Sequence, residues 1–454
     1  MTTQRIAHAV VGIALMTTLV VTVTHAGGPE GADGVSIAAV HTSFECAAPP
    51  CDAAARGAVT FLDGRLRGLG ANGRACATCH MPNDHFQLSP QDVETRFQRL
   101  EQQREFDATA DDPLFRPIDA DDFRINGDQA QDFSNLRQNG LVRITFPLPA
   151  NIRLIDPATN QPSAETTVDV WRSVPSVENV ALSGPGTINP WFRGPNVFGG
   201  YQLDARVGTL QEQALGAFTN HAQAQQPPSQ RMLDDVAAFQ NALFTSPAVR
   251  DLAEAIRTGS TPLPDPDPPL SPLEQQGKVV FTRACAQCHG GSDQTTAQPP
   301  VPHFQDIRTT CPRPVDTVSP PRFVFAACPD RLVRNARTYQ VTLSNGVTMR
   351  RTSSDPGRAL LTGFAGPAAP ADDWNKLDVP QLRGISHTAP YFHNNSAASL
   401  EEVVDHYMSF FTQLRVLTAP GAPPPAPTTT DGVHFDREPL PSEREALLAY
   451  LRVL

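Results

Sequence analysis

Two short segments constrain this chain more than anything else in it: Cys76-Ala-Thr-Cys79-His80 and Cys285-Ala-Gln-Cys288-His289. Each matches Cys-x-x-Cys-His, the attachment signal of c-type haem. Two thiols on one helical turn can both add to the vinyl groups of a single porphyrin, and the His that follows meets the iron. A thioredoxin-like redox pair would need a βαβ setting, and a zinc site would need a second Cys pair at finger spacing; neither surrounds these motifs. The chain is therefore expected to carry two covalently bound haem c groups, with Cys76, Cys79, His80, Cys285, Cys288 and His289 as their attachment and proximal residues.

Eight Cys leave two further pairs, Cys46/Cys51 and Cys311/Cys328, flanked by Pro in loop-like sequence. Disulfides are the expectation for both, with thiolate ligation of haem the weaker alternative. The N-terminus supports an oxidising compartment. Arg5 precedes an apolar stretch from Ile6 to Val23, and Thr24-His25-Ala26 supplies small residues for cleavage after Ala26. That grammar reads as a signal peptide over residues 1–26 and places the mature chain in the periplasm, without stable membrane insertion after processing. A retained anchor is the rival reading, weakened by His8 and Gly12. Lys+Arg 36 against Asp+Glu 47 gives a net charge of −11. This excludes a broad electrostatic case for nucleic acid or anionic membrane and favours partners with basic or apolar patches.

The chain is also written twice. Ser271-Pro272-Leu273-Glu274 reads as a capped helix start before the second motif. A weaker pattern, Ala53 to Leu66, precedes the first. His85-Phe86-Gln87 recurs as His303-Phe304-Gln305, and Thr209-Leu210-Gln211-Glu212 as Ser399-Leu400-Glu401-Glu402. A closing amphipathic helix, Asp234 to Phe244, recurs as Ser442 to Leu454. The expected fold is mainly α: two tandem cytochrome c-like domains, 44–258 and 271–454, joined by a Pro-rich linker over 259–270. Each carries an insertion with loops and short strands, about 91–170 and 292–350. The strand-like runs are 141–148 and 152–159 in the first, and YQVTL and VTMRR in the second. The Pro-rich run 419–427 reads as a surface loop.

With its two haem motifs and the block His387-Thr388-Ala389-Pro390-Tyr391-Phe392-His393, the chain resembles the bacterial dihaem cytochrome c peroxidase superfamily, which includes MauG. Asp355-Pro356-Gly357-Arg358 also fits. The resemblance covers about two-thirds of the chain, outside the insertions, and implies site residues one by one. Tyr407 stands where the peroxidases carry a Met ligand and MauG carries Tyr; Met408 lies next door and would restore Met after a one-residue shift. A half-buried helix aromatic is the plain alternative for Tyr407. The family's inter-domain calcium takes backbone oxygens that fall at Thr388 and Pro390, with its Asn ligand at Ser173. The family's Trp between the haems is replaced by Leu203 in Leu203-Asp204-Ala205-Arg206, with Trp171 and Trp191 as stand-ins from elsewhere. Gln213 matches the distal Gln, while the distal Glu falls at Gln223. An amide cannot shuttle the proton that peroxide cleavage requires; His221, two residues away, could replace the carboxylate, since an imidazole can take up and return a proton. His221 could instead ligate the iron or sit at the surface. His85 and His303 are expected to pack or to contact propionates.

Three functions share this reading. The first is a peroxidase reducing hydrogen peroxide, with electrons entering at the His289 haem and crossing to the His80 haem. The second is MauG-like or dioxygen-activating oxidation. The third is a plain two-haem electron carrier. The expected partners are a small soluble redox protein (cytochrome c or cupredoxin) as donor and a second copy of the chain in a homodimer, as family members often form.

Overall fold

The computed structural model describes residues 51–66, 68–116, 133–183, 200–286, 288–290, 304–313, 328–366, 372–416 and 439–454. The expected signal peptide, Cys46, Trp191, His303 and the 419–427 loop lie outside them. Ala53–Leu454 form one compact unit. The first half runs α1 (Cys51–Leu62), α2 (Pro90–Arg104), α3 (Ser134–Asn139), β1 (Leu141–Pro147), β2 (Ile152–Asp156), β3 (Gln161–Pro162), β4 (Thr167–Ser173), α4 (Leu210–Gly216), α5 (Gln230–Gln240) and α6 (Pro247–Thr258). The second runs α7 (Pro272–Ala284), β5 (Phe304–Gln305), α8 (Asp330–Val333), β6 (Arg337–Thr342), β7 (Thr348–Ser353), α9 (Ala359–Thr362), β8 (Leu377–Asp378), α10 (Leu400–Val416) and α11 (Arg444–Leu451). Helix outweighs strand among the described residues.

Local chemistry sets these boundaries. Ser271 and Glu274 close a capping box at the start of α7: the Glu274 amide donates to Ser271 Oγ and the Ser271 amide to the Glu274 carboxylate. The first helix stops at Leu62 rather than Leu66, because Leu66 takes a left-handed φ of 37°. The helix expected over Asp234 to Phe244 begins earlier, at Gln230, since Ser229 Oγ caps it by accepting from the Met232 amide. The last helix is shorter than 442–454 and follows a 3₁₀ turn at Pro441–Glu443. Inside the first insertion, α2 was not anticipated, although Ser89 followed by Pro90 is a start signal and Ser89 Oγ does cap it.

Each half is built on the same helix crossing. α1 meets α5 at Gly57, where a Cβ would stand 1.8 Å from the Asp235 carbonyl oxygen. α7 meets α11 at Gly277, where a Cβ would stand 1.9 Å from the Ala446 oxygen. Only glycine permits such approach. One turn further on, Phe61 packs on Phe239 at 5.0 Å between centroids, and Phe281 packs on Tyr450 at 5.5 Å.

The two insertions meet. Their strands form one antiparallel sheet in the order β3-β2-β6-β7, with Ile152 opposite Val341 and Leu154 opposite Tyr339. β1 pairs separately with β4. A buried ion network also joins the halves. Arg172 on β4 is 1% exposed and contacts Asp204 at 2.5 Å and Asp355 at 2.6 Å, while Arg206 reaches Asp204 at 2.8 Å. Burial opposes ionisation of both carboxyls, but Arg172 holds each below the usual carboxylate range. The linker is tied down as well: Asp267 receives Lys278 at 2.7 Å, Arg383 at 2.5 Å and the Tyr450 hydroxyl at 2.9 Å.

Two outcomes follow for unfolding experiments. Gly57→Ala and Gly277→Ala should each cost about 1–3 kcal/mol or more through overpacking at a backbone contact; unchanged thermal midpoints would contradict the crossings. Arg172→Leu should cost about 3–5 kcal/mol by stranding the buried Asp355 carboxylate and leaving Asp204 with Arg206 alone. Because those carboxyls have depressed folded pKa values, their contribution in the parent is present above the unfolded carboxylate pKa of about 4 and lost as pH falls through the folded values. The penalty in the variant should shrink over that acidic range.

Candidate functional site

Both Cys-x-x-Cys-His segments fold into the same tight turn. The His80 amide donates to the Cys76 carbonyl at 2.9 Å, and the His289 amide to the Cys285 carbonyl at 2.9 Å. The two rings are then fixed alike. His80 Nδ1 lies 3.0 Å from the Phe86 carbonyl oxygen, and His289 Nδ1 lies 3.1 Å from that of Pro380. A carbonyl only accepts, so the proton sits on Nδ1 and the Nε2 lone pair is free for iron. Burial lowers both imidazoles to about 4, keeping them neutral at neutral pH. Burial also pushes the thiols of Cys76, Cys285 and Cys288 up to about 12. No disulfide engages the four motif cysteines. Two thiols in proton-bearing form beside a pre-oriented neutral imidazole are the donor set that haem c attachment needs, and it occurs twice. A cavity of about 400 Å³ opens at His289 between the linker residues Leu263–Asp265, Phe281 and Arg383.

The opposite wall of each site comes from matching helices. Thr209 and Ser399 cap α4 and α10, with the Glu212 and Glu402 amides as donors at 3.1 and 3.3 Å. Each carboxylate reaches back in turn, to the amides of Gly208 and Ala398. The preceding loops share left-handed residues, Gln202 with Phe392 and Ala205 with Asn395, and matching bridges, Tyr201 to Val207 and Tyr391 to Ala397. In this register Ala217 corresponds to Tyr407, and Phe411 to His221.

The two halves therefore present different side chains. In the second, Tyr407 and Met408 pack into the core that includes Val280 and Phe281, beside Cys285. Burial raises the Tyr407 phenol, and the nearby Cys288 and Cys285 raise it further. In the first, α4 runs into a π-turn, Ala217–His221. Such turns are rare and concentrate at functional sites. Its last residue, half-buried His221, lies close enough to His80 for its charge to lower the proximal imidazole. Gln213 stands half-buried upstream on α4. Gln223 is exposed at a left-handed φ of 51°, and its side-chain oxygen accepts from Asn72 Nδ2 at 3.2 Å.

The remaining candidates are placed as follows. Leu203 accepts from the Asp378 amide at 2.9 Å, next to the strand that leads to Pro380. Trp171 packs on Leu141, Leu332 and the Cys311–Cys328 disulfide, whose Cα atoms are 6.0 Å apart. The pairing of Cys46 with Cys51 lies outside the described residues. Thr388 Oγ1 donates to the Ile385 carbonyl at 3.3 Å, and Ala389, before Pro390, accepts from the Gln87 side chain at 3.0 Å. The Ser173 hydroxyl is turned to the Phe392 carbonyl at 3.2 Å. Among the described residues, no three His, Cys, Asp or Glu side chains gather around a metal position. His85 is exposed and stacks on His387, 4.9 Å between centroids. Sequence reasoning missed Asn72, Arg74 and Arg172; the Asn72-Gly73 turn was the one visible signal.

Replacing Cys76 and Cys79 together by Ser should leave one covalent haem per chain, against two in the parent, by pyridine haemochrome assay after acid–acetone extraction. The Cys285/Cys288 pair should behave in the same way. Retention of two haems by either variant would contradict the assignment.

No protein-family model matches the chain. A curated relative, "Cytochrome-c peroxidase IdrP2" of Denitromonas iodatirespirans, is 27% identical over 190 residues, which is 41% of this chain. The match spans only 40% of that relative's length. Among solved structures, a MauG-like protein associated with microbial copper homeostasis aligns at TM-score 0.40 and 16% identity, covering 89% of this chain and 88% of its own. The dihaem peroxidase BthA from Burkholderia thailandensis aligns at TM-score 0.38 and 16% identity, covering 94% and 90%. Among the described residues no helix is long and apolar enough to cross a membrane. The paired haem motifs and the Thr388-Ala389-Pro390-Tyr391-Phe392-His393 block are features in which this chain resembles the dihaem cytochrome c peroxidase and MauG superfamily, and part of its sequence is similar to a cytochrome c peroxidase.

Proposed function

We propose that the chain is an exported periplasmic dihaem peroxidase that reduces hydrogen peroxide to two waters, consuming two electrons and two protons. The half 44–258 would hold one haem c through Cys76, Cys79 and His80, and the half 271–454 the other through Cys285, Cys288 and His289. When bound, haem supplies the iron at which electrons reach peroxide. Electrons would enter at the His289 site from a small soluble cytochrome c or cupredoxin, whose basic patch suits a chain of net charge −11, and pass to the His80 site.

The observation that carries this reading is the contrast between the two distal groups. Tyr407 is a half-buried phenol packed beside Cys285 and would serve as the ligand that closes the second site. His221 is half-buried at the end of the first half's π-turn, near enough for its electrostatic influence to reach His80. An imidazole there can take a proton from the near peroxide oxygen and return it to the departing one. Gln213 is assigned a hydrogen-bonding role on the same helix. Gln223, bonded to Asn72, is assigned no proton transfer. The carbonyls of Thr388 and Pro390 stay the proposed calcium ligands, with Ser173 committed elsewhere.

A second reading rests on Tyr407. A phenolate ligand would stabilise ferric iron and lower the potential of the second haem, which favours MauG-like or dioxygen-activating oxidation over uptake of electrons from a cytochrome. A plain carrier would need both irons closed, so it would bind neither cyanide nor CO.

The test is peroxide-dependent oxidation of reduced cytochrome c by the haem-loaded protein. Rapid turnover is expected, with kcat/KM falling by about 10²–10⁴-fold in His221→Ala. No turnover in either the oxidised or the half-reduced protein would overturn the peroxidase reading.

A further inference from the structure

His221 does not hold its own position. Its helix ends in the π-turn, and the chain from His221 to Gln226 is zipped along the segment from Leu69 to Arg74, which leads directly into Cys76. The Asn72 amide donates to the Ala222 carbonyl at 2.9 Å, and the Gln225 and Gln226 amides donate to Leu69 at 2.8 and 3.0 Å. The carbonyl of His221 itself receives two side chains: Asn72 Nδ2 at 3.0 Å and an Arg74 guanidinium nitrogen at 3.4 Å. Arg74 is only 3% exposed. Its other nitrogens are spent on the Pro113 carbonyl at 2.7 Å and the Arg116 carbonyl at 2.9 Å. Asn72 Oδ1 accepts in turn from the Arg74 amide at 3.1 Å.

A guanidinium with its donors fixed by three carbonyls, two from the Pro113–Arg116 turn and one from the π-turn, is a rigid peg, and an Asn that both donates to the π-turn and accepts from the peg residue's amide sets their spacing. A side chain that manages a proton must be held to within a fraction of an ångström, and this is done by neighbours rather than by its own backbone. We infer that Asn72 and Arg74 are positioning residues that lock the π-turn to the haem-attachment segment and so aim His221 at the His80 site. The inference rests on the reading of His221 as the distal group. It adds that distal and proximal sides of this site move as one piece, because both hang from residues 69–80.

Three haem-loaded variants test it: His221→Ala, Asn72→Asp and Arg74→Leu. Asn72→Asp keeps size and acceptor but removes the donor to His221, so it should fold and load haem as the parent does. Arg74→Lys serves as the conservative rescue. Haem content by pyridine haemochrome excludes misfolded material. The readouts are the EPR spin state of the His80 haem and its cyanide affinity. If the inference holds, Asn72→Asp and Arg74→Leu shift both readouts in the direction of His221→Ala, with cyanide affinity changing about tenfold, which is about 1.4 kcal/mol. Arg74→Lys should recover part of the change, and the His289 haem should be unaltered. If His221→Ala changes the spectrum but Asn72→Asp and Arg74→Leu do not, the positioning role is wrong. If His221→Ala itself changes nothing, the distal assignment fails first.

Discussion

The architecture depends on two helix crossings that admit no side chain. At Gly57 and Gly277 the helix before each attachment motif touches the backbone of a later helix of the same half, α5 in the first and α11 in the second. That contact sets the distance at which Phe61 meets Phe239 and Phe281 meets Tyr450. Phe61 in turn stands 6.3 Å from the His80 ring. In the second half the attachment turn follows directly, at Cys285 after Ala284, while in the first it is the Phe61 contact that ties the crossing to His80. The Nδ1-to-carbonyl bonds then fix how each imidazole points.

Duplication gave two such cradles, and divergence acted on the facing helix. The caps, the returning carboxylates and the left-handed loop residues are kept in both copies. What differs is the side chain delivered: a half-buried phenol in one half and an imidazole one turn further along in the other. The insertions serve a different end. Their shared sheet and the buried Arg172 network hold the halves in one unit. A fully buried guanidinium is stable there only because carboxylates from both halves reach it.

Much of this was legible in the sequence for definite reasons. Cys-x-x-Cys-His is a covalent requirement, so its reading does not depend on the rest of the fold. The cap signals at Ser271, Thr209 and Ser399 are local, and local signals survive into structure. Tyr407 was found because a motif lay upstream of it. Other features were hidden because they are pairings across distance. Nothing in the strands marks β2 as the partner of β6, since register is set by packing and not by propensity. Arg172 reads as an ordinary strand charge until Asp204 and Asp355 are folded onto it. Asn72 and Arg74 look like a surface turn, yet they reach a helix end far along the chain. Helix ends slipped by a few residues where a cap outranked the hydrophobic pattern, as Ser229 did.

The central claim is that one helix, used twice, closes the second haem with Tyr407 and leaves the first to His221, one turn further along. Near-infrared magnetic circular dichroism of the fully ferric, haem-loaded protein reads axial ligands directly. The account predicts a histidine–phenolate signature from one haem, abolished in Tyr407→Phe, and no histidine–methionine band. A histidine–methionine band that persists in Tyr407→Phe and vanishes in Met408→Leu would contradict it.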